Sequence, residues 1–284
     1  VVDTMMVGRV SASDLAAVAL GNLFFFATGI FGVGVLLSLD PVVAQAVGAG
    51  DKEGVARGVQ RGLILSLFLA ALTSLALLPA GAVFRAVGQP TEVIPIAVGY
   101  ALASIPGTLP FFLFVVFRQS LQAIGRVAPI LWTTLAANVV NFALNWVLIW
   151  GNLGVPRLGA VGSSWATSIS RWFLVAAVLV VAWPLLRPML RPWRSGVSRL
   201  RPLARMLLLG VPIGFQLQLE WGAFAVTGLL MGLLGIEEMA GHQIALNLAS
   251  FAFMVPVGIG AAASVRIGQE IGRGDPGSAR RAGG

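Results

Sequence analysis

The chain has 284 residues, of which 57% are hydrophobic and 11% charged, and it carries a net charge of +8 with no cysteine. A soluble domain has about a quarter of its residues charged, so this chain cannot cover itself with polar groups, and the solvent for much of it must be lipid. Without cysteine, disulfides, thiolate metal sites and cysteine nucleophiles are excluded.

Residues 1–8, "VVDTMMVG", read as the last turns of a helix, and the chain reads as a fragment truncated at both ends. Seven later stretches are long and apolar enough to cross a bilayer, which takes about 20 residues: 15–39 (extensible to 47), 62–83, 93–117, 127–150, 158–186, 206–234 and 239–265. No long stretch alternates with period two, which argues against a membrane barrel. Asp40-Pro41 predicts a break near the inner end of the first span, which either exposes backbone to a ligand or is a packed bend. Prolines 95, 106 and 110 predict a bent third span. "RPMLRPWRSGVSRLRP" (187–202) is rich in Arg and Pro, so no helix is expected to run through it. "GIGAAA" (258–263) imitates a dinucleotide fingerprint but lies within a span and follows no strand, so its small residues are expected to serve close helix packing.

The loops alternate in charge. Those on one side hold fifteen Lys and Arg; those on the other hold Arg9, Arg85 and Arg157 alone, and the nineteenth basic residue, Arg171, lies within a span. The basic side is cytoplasmic by the positive-inside rule. The charge therefore needs no nucleic acid to explain it.

The sequence also repeats itself at an offset of 224 positions. Gly34 then meets Gly258, and Gln45, Gly48, Gly50 and Asp51 of "AQAVGAGD" meet Gln269, Gly272, Gly274 and Asp275 of "GQEIGRGD". An even number of spans separates the copies, so they share orientation: a parallel repeat about an axis along the membrane normal. The predicted fold is all-α, a polytopic bundle of two parallel six-helix repeats with the second incomplete. Its parts are an N-terminal lobe (1–190), a cytoplasmic linker (191–202) and the start of a C-terminal lobe (203–284).

The repeat cluster, with "VDTMMVG" (2–8), "NFALNWVLIWG" (141–151), "LGAVGSSWATS" (158–168) and "GHQIALN" (241–247), resembles the multidrug and toxic compound extrusion (MATE) transporters, above all their NorM-type bacterial branch. The resemblance implies a multi-pass inner-membrane antiporter with twelve helices in two lobes, of which this chain starts late in the first helix and stops after the eighth. It implies export of small organic cations against protons or sodium ions, with no cofactor, membrane lipid as the surroundings and a monomeric state. It makes Glu220 and Asp3 the cation-coupling carboxylates, and Asn141 and Asn145 a cavity-lining pair, the second being aspartate in another branch. Asp40 resembles an aspartate of eukaryotic-like members. A lipid-linked sugar flippase of the same superfamily is the alternative. An intramembrane enzyme lacks the clustered aspartates or paired histidines it would need.

The residues support parts of this on physical grounds. A charged group at a helix centre costs roughly 2.5–3.5 kcal/mol on insertion scales, so Glu220 is expected to be functional. It would trade a proton or hold a sodium ion; otherwise it would pair with Arg171, which lies at a similar depth. Gln216 sits one turn before Glu220 on the same face, and Pro212 permits a bend. Asn141 and Asn145 share a helix face and either line a cavity or bond across helices.

Overall fold

A computed structural model describes the backbone of residues 2–234 and 236–283; Val1 of the first predicted helix lies outside them. Among the described residues there are thirteen α-helices and no strand: α1 (Val2–Val7), α2 (Ala12–Leu36), α3 (Leu39–Gly48), α4 (Lys52–Leu77), α5 (Ala80–Ala86), α6 (Ile94–Ser104), α7 (Thr108–Ala123), α8 (Ala128–Trp150), α9 (Gly159–Val181), α10 (Trp183–Leu190), α11 (Leu200–Leu234), α12 (Ile236–Gly272) and α13 (Pro276–Gly283). Nine of them, singly or as stacked pairs, make seven spans long and apolar enough to cross a membrane: α2–α3, α4, α6–α7, α8, α9, α11 and α12.

Both predicted breaks are present, and each follows from proline. Pro41 has no N–H for the Leu37 carbonyl, and the Asp40 N–H bonds it instead at 3.0 Å, separating α2 from α3. Pro110 likewise leaves the Pro106 carbonyl free, and the Trp172 indole N–H from α9 donates to it at 3.0 Å. A short 3₁₀ turn at Ile105–Gly107 joins α6 to α7. Pro212 behaves differently: α11 continues through it from Leu200 to Leu234.

Two boundaries depart from expectation. The second span begins at Lys52, ten residues before the apolar stretch, because Asp51 caps it by accepting the Gly54 N–H at 2.8 Å and its charged first turns extend toward water. No helix runs through the Arg/Pro segment, as expected, but helices reach into both of its ends. α10 enters it from one side and α11 from the other, with Pro184 and Pro202 in first turns, where a missing N–H costs nothing. The non-helical stretch between them is tied down by Gln60 of α4. Gln60 is fully buried; its Nε2 donates toward the carbonyls of Met189, Leu190 and Pro192, and its Oε1 accepts the Arg194 N–H at 2.9 Å.

The packing of α2–α10 divides into two apolar clusters. One, near the outer loops, gathers Val7, Val18, Phe84, Tyr100 and Ile149. The other, near the inner loops, gathers Leu36, Leu39, Phe112, Leu121 and Leu186. Small and hydroxylated residues bring the helices together, as expected where lipid removes the hydrophobic drive between them. Ser164 of "LGAVGSSWATS" bonds Ser104 at 2.8 Å and the Tyr100 carbonyl at 2.7 Å.

The repeat has a direct structural meaning. Shifting residues 12–48, which hold α2 and α3, by 224 gives 236–272, the bounds of α12. Both copies end in the same turn. Gly50 and Gly274 adopt left-handed φ of 68° and 76°. The Asp51 N–H bonds the Ala46 carbonyl at 2.9 Å, and the Asp275 N–H bonds the Glu270 carbonyl at 3.0 Å, a Schellman closure in each case. Each aspartate then caps the next helix, Asp51 onto Gly54 and Asp275 onto Ser278.

The remaining pair, Gly48 and Gly272, lets the copies cross. A Cβ on Gly48 would intrude on the backbone of Gln269, and a Cβ on Gly272 on the backbone of Gln45. Under the 224 shift these two contacts exchange, as a two-fold relation requires. A second crossing joins α2 to α11, where a Cβ on Gly34 would lie 2.5 Å from the Gly214 Cα. Among the described residues, no close crossing is made at "GIGAAA". Gly258 and Gly260 have open space around them, and the close approach is made at Gly268 and Gly272 instead.

Candidate functional site

A cavity of about 380 Å³ opens between α1, α8 and α9, lined by Asp3, Thr134, Asn138, Asn141, Thr167, Ser170 and Arg171 with apolar Ala137 and Leu174. Helical spacing assembles it. Thr134, Asn138, Asn141 and Asn145 recur at intervals of four, three and four along α8, and Thr167, Ser170, Arg171 and Leu174, at intervals of three, one and three, share one face of α9. Each helix thus presents one polar stripe to the other.

Asp3 is the carboxylate of this cavity. Its Oδ1 accepts from Asn145 Nδ2 and its Oδ2 from the Thr167 hydroxyl at 3.1 Å. Asn145 also donates to Asn141 Oδ1 at 3.0 Å. The Asn145 Oδ1 is buried with no donor facing it among the described residues. The site therefore offers a carboxylate, two amide oxygens and a hydroxyl, with one acceptor unused.

Arg171 supplies the opposite charge. Its guanidinium lies 4.3 Å from the centroid of Phe25 and 4.9 Å from that of Phe111. Two aromatic faces stabilise a buried cation by their quadrupoles. The guanidinium also reaches the Gly107 carbonyl, in the α6–α7 turn, at 3.5 Å.

The predicted residues are thus divided. Asp3, Asn141 and Asn145 come together. Glu220 does not join them and does not pair with Arg171: it is exposed on α11, and among the described residues it makes no ion pair. Gln216 is exposed one turn before it, on the same face. Asp40 lies apart in the inner half, accepting from Gln119 Nε2 at 2.8 Å and lining none of this cavity. It packs a bend and has no contact with the cavity.

Thr134, Asn138, Thr167 and Ser170 were not singled out from sequence, although the stripe on α8 was there to be read once Asn141 and Asn145 were placed on one face. Asp14 gave no such signal. Its carboxylate accepts the Ala160 N–H at 3.0 Å and so caps α9, a contact between residues 146 apart.

The family model described as MatE matches residues 1–147 and 212–284. A probable multidrug resistance protein NorM from Bradyrhizobium diazoefficiens is 37% identical, over 99% of this chain and 61% of its own length. The multidrug resistance protein MdtK of Edwardsiella ictaluri is 35% identical, over 98% of this chain and 62% of its own. This chain therefore spans about three fifths of these relatives. Among solved structures, the crystal structure of the eukaryotic MATE transporter AtDTX14 superposes with a TM-score of 0.86 at 23% identity, covering 99% of this chain and 62% of that one. An outward-facing multidrug resistance MATE family transporter of the MOP superfamily superposes with a TM-score of 0.84 at 22% identity, with the same coverage. At these identities the structures establish the shared fold: an all-helical, multi-pass membrane bundle.

Proposed function

The chain belongs to the MatE family, and on that premise we propose that the protein is a secondary antiporter of a bacterial inner membrane, exporting small organic cations against protons or sodium ions. The observation that carries this reading is Asp3, a carboxylate held by Asn145 and Thr167 in an open cavity with Arg171. Intramembrane ionisable groups mark ion pathways by default.

The chemistry is an exchange at Asp3. Ionised, its carboxylate balances the fixed charge of Arg171, and the cavity tolerates a cationic guest. A proton on Asp3, or a sodium ion held by its carboxylate with the amide and hydroxyl oxygens, cancels that negative charge. Oxygen donors of this kind suit a hard cation. Arg171 then dominates a low-dielectric site, where like charges repel far more strongly than in water. The cationic cargo leaves as the coupling ion arrives. Transport requires that both ions bind the two conformations unequally.

Glu220 is the second proposed coupling carboxylate, with Gln216 on its face, and Asn141 and Asn145 are cavity residues. The chain is read as a first lobe (1–190), a connection (191–202) and the beginning of a second lobe (203–284). The anchoring of the connection by Gln60 supports its moving with the first lobe. Asp3→Asn and Glu220→Gln, introduced into the protein at its full natural length, should each lower efflux of a cationic dye from cells at least about tenfold at unchanged abundance, the loss of about 1.4 kcal/mol or more of coupling. Efflux unchanged in Asp3→Asn would overturn the assignment.

A further inference from the structure

A separate group of charges lies where α9 gives way to α10. α9 carries Val180 and Val181, both exposed, into its last turn. α10 follows after Ala182, with Leu186 and Met189 buried in the inner cluster. Trp183 and Arg187, four residues apart on α10, are exposed, and so is Arg191, in extended backbone just past the helix end. Trp183, Arg187, Leu190, Arg191, Pro192 and Trp193 line an open groove of about 830 Å³.

The two arginines have no counter-charge. Neither makes an ion pair among the described residues. α10 packs on α4, α9 and α7, and no Asp or Glu occurs between Glu92 and Glu220. The carboxylates at the start of α4, Asp51 and Glu53, are engaged with Arg57 and Arg194.

We infer that this groove binds the phosphate of an anionic phospholipid of the cytoplasmic leaflet, with its acyl chains lying against Val180 and Val181. Three features select that ligand. The charge pattern puts the groove on the inner side, where anionic headgroups attract basic segments. Two guanidinium forks lining one groove, Arg187 from α10 and Arg191 from just past its end, suit phosphate oxygens, which they bind in bidentate fashion. The tryptophans flank the arginines as interfacial aromatics do at headgroup level. The apolar run from Val180 to Trp183 leads directly into the charged part, which favours an amphiphile over a free anion. The groove lies on the segment that Gln60 anchors, so a bound lipid would brace the connection from its membrane side. The inference is independent of the coupling proposed for Asp3.

The test uses the detergent-purified protein at its full natural length and a fluorescent phosphatidylglycerol analogue, with the phosphatidylcholine analogue as the uncharged comparison. Arg187→Gln/Arg191→Gln should weaken phosphatidylglycerol binding by about tenfold or more. Arg187→Lys/Arg191→Lys should retain most of it, and Arg199→Gln/Arg201→Gln, which removes the same charge further along, should stay within about twofold. Equal losses in the two Gln pairs would make the attraction diffuse and overturn the site. So would equal binding of phosphatidylcholine, or displacement of the lipid by millimolar inorganic phosphate, which would make the ligand a free anion.

Discussion

Residues 12–48 and 236–272 are the two copies of one sequence unit, and they have come to differ in their middles while keeping their ends. The first copy is broken at Leu37–Ser38; the second, α12, is unbroken. Pro41 and Asp40 account for the break, since their counterparts, Val265 and Ser264, neither remove an N–H nor carry a charge. At the ends the copies match turn for turn: left-handed glycine, Schellman closure, aspartate cap and crossing glycine. Duplication has held constant the part where the copies touch and let the rest diverge.

This comparison can be broken most decisively at the crossing. Gly48→Leu and Gly272→Leu each drive a side chain into a backbone that no rotamer change can move aside, so each should destabilise by about 3 kcal/mol or more, above the usual range for overpacking. Thermal unfolding in detergent measures both. The two losses should be similar, and a marked inequality would refute the two-fold relation. Next in size is the divergent centre. Asp40→Ser, which installs the second copy's residue, leaves the buried Gln119 amide without its carboxylate and should cost about 1–2 kcal/mol. Ser264→Ala, at the matching exposed position, should stay within about 0.5 kcal/mol. The smallest effect belongs to the caps. Asp51→Ala should cost about 1 kcal/mol. Asp275 offers a titration instead: hydrogen bonds from the Ser278 side chain and backbone hold its carboxyl below the ordinary carboxylate value. A depressed carboxyl stabilises fully above its unfolded value and loses that contribution as pH falls through the folded one. Protection of the Ser278 amide, corrected for its intrinsic exchange rate, should therefore be flat near neutrality and fall relative to Asp275→Asn only in acid.

Much of this architecture is legible in the chain. Hydropathy gives the spans, proline gives both interruptions, and the glycine–aspartate cluster gives the repeat, because each of these acts through local backbone chemistry. The boundary at Lys52 was missed because charged first turns look like loop. Gln60, Asp14 and the aromatic seat of Arg171 depend on partners 130 or more residues away or on other helices, and no local signal marks them. The site was legible in part. Asp3, Asn141 and Asn145 do converge, but the depth argument that offered Arg171 as the alternative partner of Glu220 fixes only height in the membrane. It leaves the direction around the helix axis open, and Glu220 is exposed without an ion pair among the described residues.

The crossing of Gly48 and Gly272 has a mechanical side. The carbonyls it covers, those of Gln45 and Gln269, already accept N–H groups within their own chain turns, from Ala49 at 2.9 Å and Arg273 at 3.0 Å. Pulling the two copies apart there would strand neither carbonyl and unlock no interdigitated side chain across those glycines. What holds the glycines is contact attraction, small per atom pair and steeply dependent on distance. Beside them Gln269 Nε2 of α12 donates to the Ala123 carbonyl at the end of α7 at 2.8 Å. The junction therefore meets as two smooth backbone surfaces, which can separate and meet again without re-threading side chains.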